Sequence, residues 1–431
     1  MYHKNEAALT PPMGWNSYDY YNTSVTEAEV IANAEYMASN LREYGWEYIV
    51  IDIQWSDPNA GTKDEQYINF SHFTIDEFSR QTPAINRFPS AKDGAGFKPL
   101  SDFIHSLGLK FGIHIMRGIP RIAAHLHTKI KGSTHTADEI ANPYSISKWN
   151  PDMYGVDCSK EGAQEYYNSI FELYASWGVD FVKVDDICNT NMYPDNPYSA
   201  EKEIEMIHHA IALCGRPMVL SLSPGPALIE KAWHLETYAN MWRITDDFWD
   251  SYPLLLDMFK RCEIWQGHSK PGCWPDCDML PIGYIGKGFH HERMTNFTKD
   301  EQMTMMTLWC LFRSPLMLGC ELTKLDDFTL SLLTNKDVIG LTKHSKRAHQ
   351  IARNEKSAVW MCKDTLNDDF YCAMFNFTNE PLSVSIGFNE LGISGPLAAK
   401  NLWTGEVYPD ISWAFSTVIA PHGTALFSLS F

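Results

Sequence analysis

Four short apolar runs in this sequence end in carboxylates, and no other feature constrains the fold as tightly. Val179, Phe181, Val182 and Val184 form a β-branched and aromatic run too short for a helix, opened by Gly178 and closed by Asp185 and Asp186. Tyr48 to Ile51 leads into Asp52, Met241 to Thr245 into Asp246 and Asp247, and the segment around Trp274 into Asp276 and Asp278. A strand buried on both faces by βαβ packing has no solvent side, so Lys183 and these acids need a reason to be there. In α/β folds the carboxyl ends of parallel strands form the active-site face, which makes an acid at such an end a catalytic candidate. Helix capping accounts for one or two of them. Four on one sheet edge point to a sugar or phosphate site, and acids repel phosphate.

Strand-like and helix-like segments alternate along most of the chain. Thr26 to Tyr44 reads as a helix with Thr26 and Glu29 as a capping box, and Gly162 to Trp177, Ala200 to Leu213, Pro226 to His234, Tyr252 to Trp265, Lys299 to Phe312 and Asp326 to Thr334 follow as further helices. Between them lie strand-like pieces at Lys110 to Met116, Pro217 to Ser223, Ala239 to Thr245 and Pro315 to Gly319. Eight βα units are the count of a TIM (β/α)8 barrel. The long segments from about Ser56 to Lys98 and from Arg117 to Asp157 exceed the length of connectors and are expected to form a rim over the site; the second carries Tyr144, Trp149 and Asn150. After Lys346 the pattern changes to short alternating runs, so a barrel over residues 1–345 and an antiparallel β-sandwich over 346–431 are expected, packed together without a low-complexity linker.

The charge count of 35 basic against 53 acidic residues gives −18, which argues against nucleic acid and anionic membranes as partners. A neutral carbohydrate fits better, and 14 Trp supply flat apolar faces. The sequence contains no apolar run long enough to span a bilayer and no signal-peptide stretch, so a cytoplasmic location is expected, with ten reduced cysteines and unused sequons at Asn22, Asn69, Asn296 and Asn376. A homo-oligomer is compatible with this composition.

Asp185 and Asp247 are the candidate catalytic pair, because cutting a glycosidic bond needs one carboxylate to attack or screen the anomeric centre and another to protonate the departing oxygen. Lys183 stands two residues before Asp185 and is expected to keep that acid ionised. His114, near the end of its strand, is a site candidate with a hydrogen-bonded core histidine as the alternative. A metal site built from Cys273, Cys277, Asp276, Asp278, His290 and His291 is disfavoured: the Cys-x3-Cys spacing lacks a second matching pair, and the mixed donors suit no common metal. A carbohydrate-binding protein without catalysis stays open as another class, though both acids of the pair are present. There is no Gly-x-Ser-x-Gly elbow.

Thr10-Pro11-Pro12-Met13-Gly14-Trp15-Asn16-Ser17, Lys183-Val184-Asp185, Trp242-Arg243 followed by Asp247, and Asp276-Cys277-Asp278-Met279-Leu280, in that order, resemble glycoside hydrolase family 27, the melibiase-type α-galactosidases. The resemblance implies a (β/α)8 barrel with a C-terminal β-sandwich and retaining exo-hydrolysis of terminal galacto-configured sugars, with no metal or cofactor. It implies Asp185 as nucleophile and Asp247 as acid/base. Asp52, Lys183, Arg243 and Asp278 match sugar-hydroxyl ligands, and Tyr18 and His114 fall where aromatic residues line the family's pocket.

Two departures bear on the substrate. Where α-galactosidases carry two successive acids before a tryptophan, this chain has Asp52-Ile53 ahead of Trp55. Isoleucine cannot accept a hydrogen bond from the sugar's primary hydroxyl, a loss of roughly 1–3 kcal/mol, so a sugar without that group, β-L-arabinopyranose, is favoured beside α-D-galactose. In the loop Ser221 to Pro226, Ser223 matches the roomier version found in α-N-acetylgalactosaminidases, which keeps that activity as a third reading; Pro226 does not match.

Overall fold

The alternating runs fold as strands and pack as the period of two requires. In the computed structural model, which describes residues 4–62, 66–190, 193–367 and 369–430, the parallel strands are β1 (Met13–Asn16), β2 (Tyr48–Ile51), β3 (Lys110–Met116), β4 (Phe181–Asp185), β5 (Val219–Leu222), β6 (Met241–Arg243), β7 (Trp274–Asp276) and β8 (Leu316–Leu318). Their order across the sheet is β7-β6-β5-β4-β3-β2-β1-β8. Just beyond β7, Leu280 makes a parallel bridge to Leu318 of β8, with its N–H donating to the Met317 carbonyl at 2.8 Å. That bridge joins the two edges of the sheet and completes the (β/α)8 barrel.

Successive side chains on a strand face opposite ways. Tyr48, Val50, Phe181, Val219, Met241, Trp274 and Met317 form one apolar cluster inside the barrel, while Ile49, Ile51, Ile113, Val182, Val184, Leu220 and Leu222 belong to the larger core under the helices. Continuing the inner phase puts Asp52 two residues past Val50, Lys183 and Asp185 two and four past Phe181, and Arg243 two past Met241. The polar residues therefore occupy the inner face at the C-terminal mouth. Gly14 lies on β1 where a Cβ would overlap the Tyr48 carbonyl and Cβ, so only glycine lets β1 and β2 approach.

The helices relevant to the site are α1 (Tyr18–Tyr21), α2 (Glu27–Asn40), α3 (Lys98–Ser106), α4 (Ala163–Trp177), α5 (Glu201–Leu213), α6 (Ala232–Tyr238), α7 (Tyr252–Trp265) and α8 (Lys299–Phe312). The capping box of α2 is formed, the Thr26 N–H donating to Glu29 Oε2 at 2.9 Å. α6 begins six residues later than the sequence suggests, because the Ala227 N–H is held by the Arg243 carbonyl at 2.9 Å and the Pro226 carbonyl by Asn189 Nδ2 at 2.6 Å. A further helix, Lys336–His344, was not expected; Asn335 caps it, its Oδ1 accepting from the Asp337 and Val338 N–H groups at 3.1 Å. The long segment after β3 contains the short strands Ile119–Pro120, Ala141–Asn142 and Met153–Val156. It is pinned by buried Arg117, which pairs with Asp186 at 2.9 Å and Glu203 at 3.1 Å.

The C-terminal part is antiparallel. Six strands pair in the order Ser345–Arg353, Ser357–Asp364, Phe370–Asn376, Thr424–Ser430, Leu397–Asn401, Val407–Ile411, and Leu382–Gly387 pairs separately with Ala414–Ile419. Met361, Met374, Ile386, Phe415 and Phe427 fill the space between the two sheets. This unit shares a core with the barrel: Phe259 of α7 meets Phe375 edge-on at 4.8 Å, and Tyr252 stacks on His422 at 3.6 Å. No described helix is long and apolar enough to cross a membrane.

Candidate active site

The strand ends converge on one cavity of about 250 Å³. Tyr18, Asp52, Ile53, Lys183, Asp185, Arg243, Asp247 and Asp278 all line it. Eight of the residues singled out from the sequence are thus brought together. Trp55, His114 and Ser223 are not among the lining residues.

Trp55 is a core residue. Its indole N–H donates to the His114 carbonyl at 2.7 Å, and its ring packs on Phe97 at 5.2 Å and Trp177 at 6.2 Å. It lies two residues beyond Ile53, where the chain has left the strand for a turn. Ser223 is buried behind the wall, beside the Val184 carbonyl at 3.5 Å, and Pro224 takes the lining position. His114 lies behind Asp185 rather than against the cavity, its Nε2 3.1 Å from Asp185 Oδ2.

The expected partnership of Lys183 with Asp185 is also different in detail. The Lys183 ammonium binds Asp52 Oδ2 at 2.9 Å, and the same oxygen accepts from Asn16 Nδ2 at 2.7 Å. Burial works against the Lys183 ammonium, but Asp52 and then Asp185 outweigh it and keep it charged. Burial likewise pushes Asp52 up, and Lys183 and His114 pull it below the ordinary carboxylate range.

The two candidate catalytic acids occupy unlike environments. Asp185 is 14% exposed. Burial raises its pKa, yet the hydrogen bond and charge of His114, the charge of Lys183 and the N–H of Asp186 overcome that and hold it well below the usual carboxylate range. Asp247 is 64% exposed and accepts from Arg243 at 2.8 Å. Arg243 is shared, giving its other terminal nitrogen to Asp278 at 3.0 Å. Asp278 sits at φ 76°, a left-handed conformation that is costly for a residue with a Cβ; there its Oδ2 accepts from the Phe248 N–H at 2.8 Å. One carboxylate held ionised well below the ordinary range and one water-accessible carboxyl on a single cavity are the equipment for a paired acid/base or nucleophilic reaction.

The rim is aromatic, and sequence reasoning found it only in part. Trp149 lines the cavity with Tyr67, their rings edge to face at 5.4 Å; Trp249, also on the lining, meets Phe289 at 5.4 Å, and Phe289 meets Tyr18 at 5.6 Å. Trp149 falls in a segment expected to form the rim, and Tyr67 in the other. Asp246, one of the strand-end acids, also lines the cavity, whereas Asp19 and Met279 were not among the candidates, although each adjoins one. The thiols weighed as metal ligands are occupied in the core: Cys277 Sγ lies 3.6 Å from Cys262 Sγ, and Cys273 Sγ accepts from Lys4 at 3.3 Å.

Comparison with known proteins agrees with this architecture. A family model described as alpha galactosidase A matches residues 151–344, and one described as the alpha galactosidase C-terminal beta sandwich domain matches residues 354–429. The crystal structure of a GH27 β-L-arabinopyranosidase from Geobacillus stearothermophilus, in complex with arabinose, superposes with a TM-score of 0.96 at 52% identity, covering 100% of this chain and 99% of that one. A protein from Bacillus halodurans described as a candidate α-N-acetylgalactosaminidase gives 0.88 at 51% identity, with 98% of both chains covered. Alpha-galactosidase 2 of Arabidopsis thaliana is 26% identical over 431 residues, 99% of this chain and 91% of its own length.

Proposed function

Because the chain belongs to the melibiase family of glycoside hydrolases, family 27, we propose that it is a retaining exo-glycosidase that releases β-L-arabinopyranose from its glycosides in preference to α-D-galactose. The observation that carries the preference is the wall beside Asp52. Ile53 belongs to an apolar cluster with Phe73, Met116 and Met153, against which Tyr18, Tyr67 and Trp149 pack. A hydroxymethyl group directed at that wall loses its hydrogen bonds to water and finds no acceptor, whereas a ring that ends in CH2 at this position buries only apolar surface. The arabinopyranosidase at 52% identity supports the same reading.

In this reading Asp185 attacks C1 and forms a glycosyl ester as the bond from C1 to the aglycone oxygen breaks, and Asp247 gives that oxygen its proton. Asp247 then takes a proton from water, the water oxygen bonds C1, and Asp185 leaves as carboxylate. The division of labour follows from the surroundings: Asp185 is held ionised, as a nucleophile must be, and Asp247 is open to water, so it can be reprotonated each turnover. In the same reading Asp52, Lys183, Arg243 and Asp278, which line the cavity, bind sugar hydroxyls, and no step calls for a metal or cofactor. Ser223 gives the N-acetylgalactosaminide reading no support from behind the wall.

The test compares nitrophenyl β-L-arabinopyranoside, α-D-galactoside and α-N-acetylgalactosaminide side by side, with proton NMR of the first-formed sugar. The expected result is the highest kcat/KM on the arabinopyranoside, with retained configuration. A highest value on either other glycoside overturns the substrate assignment, and inversion overturns the mechanism.

A further inference from the structure

One carboxyl on the cavity is left without a task by the scheme above. Asp19 lies on α1, directly after Tyr18, and lines the same cavity as Asp185 and Asp247. The residue is only 4% exposed. Its Oδ2 is sealed from solvent and has no hydrogen-bond partner, and no described residue bonds or pairs with either oxygen of its side chain. Only its backbone is anchored, the carbonyl accepting from the Gly286 N–H at 2.8 Å. The carboxyl fits because residue 319, just past β8, is glycine: a Cβ there would overlap Asp19 Cβ, Cγ and Oδ2.

A buried acid on the lining of a ligand cavity, with no partner among the described residues, can find one in the ligand. We propose that Asp19 is a further sugar-contacting residue, whose carboxyl completes its hydrogen bonds on a hydroxyl of the bound pyranose and selects for a neutral ring. The inference rests on the glycosidase reading. Burial pushes Asp19 well above the ordinary carboxylate range, and the charges of Asp278, Asp247 and Asp52 add to that against the pull of Lys183. That direction favours the protonated carboxyl, which can both give and accept a hydrogen bond. Ionised carboxylates such as Asp52 and Asp185 only accept, and Lys183 and Arg243 only donate. A hydroxyl does both, so the acid form of Asp19 adds the complementary group without adding another negative charge to the cavity.

The experiment uses the full chain, with whichever nitrophenyl glycoside the wild type turns over best and calorimetric titration of the corresponding free sugar. Asp19→Ala is expected to raise both KM and the sugar Kd at least about tenfold, while Asp19→Asn, whose amide also donates and accepts in the same shape, stays within about threefold. Gly319→Ala, which displaces the carboxyl, should raise KM in the wild type but add nothing to Asp19→Ala. Sugar affinity in the wild type should weaken as rising pH ionises Asp19, and Asp19→Asn should lack that limb. Unchanged KM and Kd in Asp19→Ala overturn the proposal. Should that variant not fold, a limb that persists in Asp19→Asn overturns it instead. A wild type that neither hydrolyses nor binds any sugar of the panel overturns the glycosidase reading itself, which is a different result from an active enzyme indifferent to Asp19.

Discussion

His114 Nε2 lies 3.1 Å from Asp185 Oδ2, and Lys183, next to His114 in the register of β3 and β4, gives its ammonium to Asp52 instead. The ionisation of Asp185, the proposed nucleophile, therefore depends first on a histidine that is not among the lining residues of the cavity. Asp185 has a depressed pKa in the folded protein, so its carboxylate persists to pH values below the ordinary range and activity falls only as pH drops through that low value. Replacing His114 by Leu removes the largest influence opposing burial and should move the acidic limb of kcat/KM upward by about one pH unit, a tenfold loss on that limb. His114→Gln, which can still donate, should move it less. A pH profile identical to wild type in His114→Leu would mean that the pair does not set the ionisation.

The exposure difference between Asp185 and Asp247 predicts different consequences of their removal. Asp185→Asn should lose at least about 10³-fold in kcat on every glycoside, because no covalent intermediate can form, while sugar binding persists. Asp247→Asn removes only proton transfer, typically worth 10²–10⁴-fold. Its loss should therefore be small on dinitrophenyl glycosides, whose leaving group needs little protonation, and large on alkyl glycosides. Steady-state kinetics on both leaving groups check this; equal losses for the two variants on both would remove the division of roles.

Ile53→Asp places an acceptor beside Asp52, where the resemblance to α-galactosidases calls for one. The expected outcome is a rise of about tenfold in the ratio of kcat/KM for α-galactoside over β-L-arabinopyranoside, the scale of one hydrogen bond to a buried hydroxyl. The change also puts a charge against Phe73, Met116 and Met153, so a lower melting temperature is expected with it. The ratio is the decisive measurement, and an unchanged ratio ends the argument from the missing hydroxymethyl.

What could be read from the sequence was whatever depends on local periodicity. The inner phase of each strand is fixed by alternation, so Asp52, Lys183 and Asp185 could be read at the strand ends from their positions, while Arg243 entered through the family resemblance. The pairing of His114 with Asp185 could not, because it depends on β3 and β4 being neighbours and on which rotamers meet. Trp55, named through the family resemblance, stands in a turn where alternation no longer reports a face, and its ring packs on Phe97 and Trp177. The facing rings of Tyr67 and Trp149 come from two loops that lack any repeat, brought together by tertiary packing. Barrel closure rests on Leu280 bridging Leu318 just after left-handed Asp278, a geometry that a Cys-Asp-Met-Leu stretch does not announce.

Asp276 should give the protein a stability that falls with rising pH. Its side chain is buried in β7, with Oδ1 accepting from the Asp278 N–H at 2.9 Å. Burial and then the charge of Asp278 push its carboxyl up to about 7, against Arg243, whereas in the unfolded chain it titrates near about 4. The folded state thus holds a proton that the unfolded state releases between those values. Its contribution is fully present below about 4 and is lost as pH rises through about 7. Asp186, also pushed up to about 7 by burial, acts in the same direction. Asp52 and Asp185 act oppositely, but their depressed values confine that effect to pH below the ordinary carboxylate range. Between pH 5 and 8 the melting temperature should therefore decline, and Asp276→Asn, which cannot titrate, should decline less. Over the measured range the difference is bounded by about 3 kcal/mol, roughly the two pH units between 5 and 7 at 1.36 kcal/mol each. Calorimetric melts of both proteins at pH 5 and pH 8 decide it, and parallel declines would show that Asp276 is already ionised in the folded barrel.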